Sequence, residues 1–266
     1  MKASAIRILV LGIVVGCGGA TSAPASPASP GGSPGDPLGA ALAGPARLAE
    51  SRARDTFRHP RETLAFFGLR EDMTVVELWP GGGWYTEILA PYLAPKGNLI
   101  VTGSKVVAER IEKEPAIFGK VTLRKLDLPN DFTLGPDGSV DLALTFRNVH
   151  NWMNAGYADK VFASAFRALK HGGVLGVVEH RAKPGTDAKA SAETGYVTED
   201  VVVGFAKLAG FALDARSELN ANPKDTTNHP GGVWALPPTL ANGDKDRDAF
   251  VGIGESDRMT LRFKKP

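Results

Sequence analysis

One short run constrains the fold of this chain most: an apolar strand that ends in an acid and turns through glycines into a helix. It spans residues 74–86, where Glu77 ends the strand and Gly81, Gly82 and Gly83 form the turn. Glycine lets a backbone approach a ligand closely, and the first turn of a helix offers unpaired N–H groups. The run therefore predicts an α/β fold with a nucleotide-type pocket at the turn.

Strands and helices alternate along the rest of the chain. This alternation predicts a parallel sheet with helices on both faces, whose strands place their carboxyl ends, and hence a ligand, along one edge. We expect Gly172 and Gly173 to cap the helix at 158–170. We also expect the long polar segment 220–258 to be functional or partly structured. The predicted strands are 74–78, 98–102, 121–126, 141–145, 174–178, 211–219 and 259–263.

Several phrases resemble a known family. The segment from Glu77 to Gly83 resembles the first motif of class I S-adenosylmethionine-dependent methyltransferases, acidic-x-Gly-x-Gly-x-Gly. The resemblance implies a Rossmann-like, doubly wound, seven-stranded and mostly parallel sheet over about residues 60–263. Two further segments look like this family: Val140–Leu144 resembles its strand four, and Ala168–Leu175 resembles its "LKPGG-x-L". More closely, the chain resembles a group of exported bacterial predicted methyltransferases, through Gly81–Tyr85, His150–Trp152 and Glu179–Arg181.

The resemblance also implies S-adenosylmethionine as cofactor and a small-molecule or envelope substrate. Gly81–Gly83 would cradle the methionine part, and Glu77 would orient its amino group. Asp127 sits where relatives contact the adenine amine; its alternative is an Asx turn before Pro129. Thr102 or Ser104 would offer the ribose one weaker hydrogen bond.

The chain departs from the family pattern at two positions. Trp79 stands where the first glycine is expected, and the stretch 101–105 lacks the acid that grips both ribose hydroxyls. A lost charge-assisted pair costs roughly 1.5–3 kcal/mol. The alternative is therefore an exported methyltransferase-like domain that has lost the cofactor and serves as a ligand- or metal-binding module.

The segment after the fourth strand carries the catalytic candidates, Asn148 and His150. In related enzymes it lies beside the transferred methyl group. An imidazole titrates near neutral pH, so His150 is the candidate base. Its alternative is a hydrogen bond to a neighbouring loop.

Strands four and five should be neighbours, which places His150 and His180 on one edge. With His229 or Asp225 they would form a metal site, although no tight ligand spacing supports one. Arg147 and Arg181 would instead hold an anionic substrate.

The N-terminus predicts export. Basic residues precede an apolar stretch at 8–15 that is far shorter than the roughly 20 residues of a membrane span. Cys17, the single cysteine, follows in a setting that resembles a bacterial lipobox. We expect a lipoprotein signal at 1–17 and a lipid anchor on Cys17 in the cell envelope or periplasm. The alternative is an ordinary signal peptide with an incidental cysteine.

Composition suggests the remaining organisation. Residues 18–45 are rich in Gly, Ala, Pro and Ser, which predicts a disordered tether, and 46–266 suits one methyltransferase-like domain. The net charge is +2, from 31 basic and 29 acidic residues, which gives no electrostatic reason to expect nucleic acid as partner.

Overall fold

The computed structural model describes residues 35–266. The predicted signal at 1–17 with Cys17, and residues 18–34 of the predicted tether, lie outside the described residues. Among the helices that are described, none combines the length and apolar character needed to cross a bilayer.

The centre of the fold is a seven-stranded sheet in the order β3-β2-β1-β4-β5-β7-β6. The pairs from β3 to β5 are parallel, and β7 runs antiparallel to both β5 and β6. The predicted mostly parallel, doubly wound sheet is confirmed. The strand order reverses between β1 and β4, which is where such folds bind ligands. The strands are β1 Thr74–Leu78, β2 Asn98–Thr102, β3 Thr122–Arg124, β4 Val140–Phe146, β5 Leu169–His180, β6 Ala212–Ser217 and β7 Arg258–Lys264.

Helices cover both faces of the sheet, and each face has its own core. Alternate side chains of β1 enter opposite cores, Val76 and Leu78 on one face and Val75 on the other, as the two-residue period of a strand requires. The helices are α1 Pro37–Ala43, α2 Ala49–Arg52, α3 Asp55–Arg58, α4 Pro60–Phe66, α5 Thr86–Leu93, α6 Lys105–Lys113, α7 Pro115–Phe118, α8 Val149–Asn154, α9 Ala158–Ala168, α10 Ala188–Glu193, α11 Glu199–Ala209 and α12 Arg247–Ile253, with a 3-10 turn at Gly232–Ala235.

The folded region begins before the predicted boundary at residue 46. Helix α1 lies inside the segment 18–45 that composition predicts as a tether. Asp36 caps it by accepting a hydrogen bond from the backbone N–H of Gly39, and Ala41 is buried in the core shared with α5. A proline in the first turn and small residues in the next suit a packed helix, so this part of the prediction is wrong.

Gly172 and Gly173 do not cap a helix. Helix α9 ends at Ala168, and β5 begins at the next residue. The pairing of β5 with β4 jumps from Leu169 to Val174 while β4 advances by two residues, so the glycines lie in a bulge. Gly172 has φ 74°, a conformation that glycine adopts without strain.

The long segment 220–258 is ordered around one buried carboxylate. Asp225 accepts hydrogen bonds from the Tyr196 hydroxyl at 3.0 Å and from His229 Nε2 at 2.7 Å. It also accepts from the backbone N–H groups of Thr227 and Asp257, both at 2.8 Å. These bonds fasten the segment to the carboxyl edge of the sheet.

Candidate functional site

The glycine turn leaves open space at two of its three glycines. A Cβ built on Gly81 or Gly82 would meet no atom within 4 Å. Gly83 differs, because its φ is +82° and a Cβ there would lie 3.1 Å from Cγ2 of Val107 in α6. Gly83 therefore serves the close packing of two helices, whereas Gly81 and Gly82 border free space.

Glu77 lies beneath this turn and not at its rim. Its side chain is 1% exposed, and the Thr86 hydroxyl donates to Oε2 at 2.6 Å. Burial raises the pKa of Glu77 to about 7, although the Thr86 bond and the Arg147 guanidinium oppose the rise. A carboxylate that is buried without an ion-pair partner is stabilised by any cation that settles above it.

Thr102, which is predicted to contact the ribose, does not expose its hydroxyl group. Thr102 is fully buried, and its Oγ1 accepts the backbone N–H of Trp79 at 2.8 Å. Ser104 lies two residues further along the chain, and its hydroxyl donates to the carbonyl of Gly81 at 2.6 Å. Both hydroxyls are therefore bonded to the backbone of the turn.

Trp79 fills space beside the turn. Its φ is 47°, a left-handed conformation that is uncommon for a bulky residue. Its indole ring packs 5.2 Å from that of Trp152 and stacks on Tyr157 at 6.5 Å between ring centroids. These contacts hold the strained residue in place.

Asp127 lies at the exposed carboxyl side of β3. Its carbonyl accepts the N–H groups of Asn130 and Asp131, both at 2.7 Å, which closes a turn. Its side chain is exposed. The adenine contact stays a prediction.

Asn148 ties the ends of β1 and β4 together. Its Nδ2 donates to the carbonyls of Leu78 at 3.0 Å and Trp79 at 3.2 Å, and approaches Oγ1 of Thr145 at 3.2 Å. The amide nitrogen is thus fully used at the switch point. These bonds give the amide nitrogen a structural role. The catalytic role of Asn148 stays a prediction.

His150 is held by a buried carboxylate. Its Nδ1 lies 3.0 Å from Oε1 of Glu179, which is fully buried. Glu179 also accepts the backbone N–H groups of Val149 and His180, so it acts as an acceptor on both oxygens. An acceptor at Nδ1 fixes the proton there and leaves Nε2 with a lone pair, which is the arrangement of a general base.

His180 lies beside His150, with ring centroids 5.6 Å apart, as the neighbouring strands β4 and β5 predict. Its Nδ1 lies 2.6 Å from the Ser256 hydroxyl. Burial, then His150 and Arg147, lower the pKa of His180 well below its usual range, so its imidazole is neutral.

The structure assembles a different metal-type group from the one expected. His150, Glu179 and His180 bring ligand atoms within 4.8 Å of one another. His229 is instead paired with Asp225. Arg54, Arg58 and Arg147 lie beside these histidines, and their positive charge disfavours a divalent cation there.

A cavity of about 300 Å³ opens over these histidines. Arginines 54, 58 and 147 line it together with Glu255, and Trp234 forms part of its wall. The sequence analysis found Arg147 but missed Arg54, Arg58 and Glu255, since no motif links α2–α4 with the segment before β7. Arg181, the other predicted anion contact, is fully engaged with Glu218 and Asp257 elsewhere.

Solved structures share this architecture. A SAM-dependent methyltransferase from Aquifex aeolicus matches with a TM-score of 0.55 and 16% identity, over 80% of this chain and 93% of that one. The [4+2]-cyclase SpnF matches with a TM-score of 0.56 and 18% identity, over 84% of each chain. The chain has the Rossmann-like fold of class I methyltransferases.

A geranyl diphosphate C-methyltransferase from Streptomyces coelicolor A3(2), solved with Mg²⁺, geranyl diphosphate and S-adenosyl-L-homocysteine, matches with a TM-score of 0.55 and 16% identity, over 85% of this chain and 88% of that one. No family model and no curated protein matches the sequence. The cyclase among these neighbours shows that the fold alone does not determine the reaction.

The residues at the turn fit the methionine half of S-adenosylmethionine. Free space borders Gly81 and Gly82, and the carboxyl group of Glu77 below them has no cationic partner within hydrogen-bond distance among the described residues. The adenosine half finds fewer partners, because Thr102 is buried and Asp127 is the acid that β3 offers at that edge.

Proposed function

We propose that the protein is an S-adenosylmethionine-dependent methyltransferase that acts on a small molecule. The observation that supports this most is the open glycine turn above the buried Glu77, next to the histidine-lined cavity. When bound, the cofactor supplies an electrophilic methyl group. The substrate occupies the cavity over β4 and β5.

The chain's own residues have separate tasks in this reaction. Gly81 and Gly82 would leave room for the methionine part of the cofactor, and Glu77 would pair with its ammonium group. His150 accepts a proton at Nε2 from the substrate atom that is methylated, while Glu179 holds the ring and stabilises the imidazolium that forms. Trp234, which contacts His150 edge-on with centroids 6.0 Å apart, limits the access of water.

Calorimetric titration with S-adenosylmethionine and S-adenosylhomocysteine tests the proposal. Gly82→Arg is the matched variant, because Gly82 has an ordinary φ and open space around it, so the arginine side chain disturbs the ligand space and not the fold. We expect micromolar binding by the natural chain and none by the variant. Absence of binding at millimolar ligand contradicts the proposal.

A second candidate is a binding module that has lost the cofactor. Trp79 at the position of the family's first glycine, and the buried Thr102, favour it. An exported protein also lacks an obvious supply of S-adenosylmethionine, which is made from ATP inside the cell. If the protein is such a module, the cavity binds a ligand of its own, whereas titration with S-adenosylmethionine or S-adenosylhomocysteine gives no heat of binding.

We further propose that the chain is held in the cell envelope by a lipid on Cys17. The basic residues, the short apolar stretch and the single cysteine support this. Cys17→Ser should move the protein from the membrane fraction to the soluble fraction. Unchanged membrane association of the variant would contradict the anchor.

A further inference from the structure

The cavity over His150 and His180 has an unusual excess of positive charge. Arg54 and Arg58 pair with Glu255 through their Nε atoms, at 2.6 and 3.0 Å. Arg258 pairs with the same carboxylate at 2.8 Å. One carboxylate thus serves three guanidiniums, which hold the pKa of Glu255 at about 2 although its burial alone would raise it.

Arg147 adds a fourth guanidinium without a partner. It lines the cavity and makes no hydrogen bond to another side chain in the part of the chain that the structure describes. Burial, and then Arg258, lower the pKa of Arg147 to about 10. Its backbone also has φ 63°, so the turn after β4 holds it in a strained conformation.

Arg58 offers a second free donor. The residue is 2% exposed, and its Nη1 has no hydrogen-bond partner among the described residues. Its guanidinium stacks over the Trp84 ring at 4.7 Å, which fixes its plane. A buried donor without a partner costs stability, and so does a buried charge without a counter-charge.

The charge count indicates what neutralises the site. Three guanidiniums line the cavity, those of Arg54, Arg58 and Arg147, and Glu255 is the carboxylate in its lining. Arg258 pairs with Glu255 from outside the lining. With the histidines counted as neutral, three guanidiniums against one carboxylate leave an excess of two positive charges in the lining. A doubly charged anion balances it, and guanidinium forks match the oxygens of phosphate and carboxylate groups.

We propose that this cavity binds the dianionic group of a small molecule, such as a phosphate monoester, between Arg147 and Arg58. The assignment of this molecule as the methyl acceptor rests on the proposed function; the anion site itself does not. The cavity volume of about 300 Å³ suits a small ligand. A second cavity beside Arg181 does not share this character, because Glu218 and Asp257 neutralise that arginine.

Calorimetry with inorganic phosphate at about pH 8 and constant ionic strength tests the site in the full chain. We expect phosphate to bind more tightly than the monoanion acetate. Arg147→Met should weaken phosphate binding at least about tenfold, and it should not lower the melting temperature of the ligand-free protein because it removes a repelled charge. Arg54→Gln changes a cavity arginine that is 26% exposed and should weaken binding without unfolding the protein.

Arg181→Met is the matched control. It removes a partly buried arginine that pairs with two carboxylates, so it should lower stability and leave phosphate binding unchanged. The inference is overturned if the natural chain gives no heat at about 10 mM phosphate, or if Arg147→Met and Arg54→Gln bind phosphate as the natural chain does. Zinc binding without phosphate binding would also overturn it.

The same measurements separate this inference from the proposed function. Gly82→Arg should lose S-adenosylmethionine and keep phosphate. If the natural chain binds phosphate but not the cofactor, the methyltransferase proposal fails and the anion site stands. If the natural chain binds the cofactor but not phosphate, the anion site fails and the methyltransferase proposal stands.

Discussion

At the scale of single residues, the site depends on buried groups whose charge is incompletely balanced. Among the described residues, Glu77 has no cationic partner within hydrogen-bond distance, and Arg147 has no carboxylate bonded to it. Such groups cost stability in the ligand-free protein, and a ligand of opposite charge recovers that cost. Asn148 is the opposite case, since its amide nitrogen is fully used.

Glu77→Gln should change how stability depends on pH. The pKa of Glu77 is about 7 in the folded protein, against 4.5 for a glutamate exposed to water. A raised carboxyl pKa gives stability that is present below pH 4.5 and lost as the pH rises through 7. The natural chain should therefore lose roughly 3 kcal/mol relative to Glu77→Gln between these values.

Urea unfolding at about pH 4.5 and pH 8 measures this difference. Glu62→Gln, in an exposed position of α4, is the control and should leave the pH dependence as it is in the natural chain. Parallel pH profiles for Glu77→Gln and the natural chain would show that Glu77 is not the titrating group.

Asn148→Ala should destabilise the fold by about 1–3 kcal/mol, because two strand-end carbonyls lose their donor. Asn151→Ala, which changes an exposed asparagine in helix α8 just after Asn148, should cost much less. Chemical denaturation of both variants is the measurement. Equal effects would argue against the role assigned to the amide nitrogen.

At the scale of elements, the sequence predicts strands better than the segments that end or connect them. The bounds of β1 and β2 agree with the apolar runs, because short buried strands are marked by continuous hydrophobic residues. The prediction that Gly172 and Gly173 cap a helix is wrong, since the same dipeptide suits a helix end or a strand bulge. Only the pairing of β5 with β4 and β7 distinguishes the two.

Asp225→Ala should loosen the segment 220–258 while the sheet remains folded. The substitution removes the acceptor of four donors, among them the buried Tyr196 hydroxyl and His229. We expect a loss of about 2–4 kcal/mol and faster cleavage by trypsin after Lys245 and Arg247. Asp244→Ala, at an exposed position, should be cleaved at the rate of the natural chain.

At the scale of the whole molecule, helix α1 places residues before 46 in the folded domain. Its side chains pack on α4 and α5, and Asp36 forms an ion pair with Arg61 at 2.8 Å. A chain that starts at residue 46 should be less stable than one that starts at residue 35, by about 2–4 kcal/mol, because the helix buries apolar surface.

Thermal unfolding of the two chains measures this effect. Asp36→Ala in the longer chain separates the capping of α1 from its packing, and should lower the melting temperature less than removal of the whole helix does. Equal melting temperatures for the two chain lengths would restore the boundary that composition predicts.

The sequence by itself determined the fold class, the glycine turn and the placement of His150 beside His180. These follow from local patterns and from one topological rule, that parallel neighbouring strands end at the same edge. Tertiary structure alone decided that Thr102 is buried, that Glu179 orients His150, and that the arginines converge. Arg54 and Arg58 lie close together in the chain but far from Arg147 and from Arg258, and no local sequence pattern indicates that these residues share one electrostatic environment.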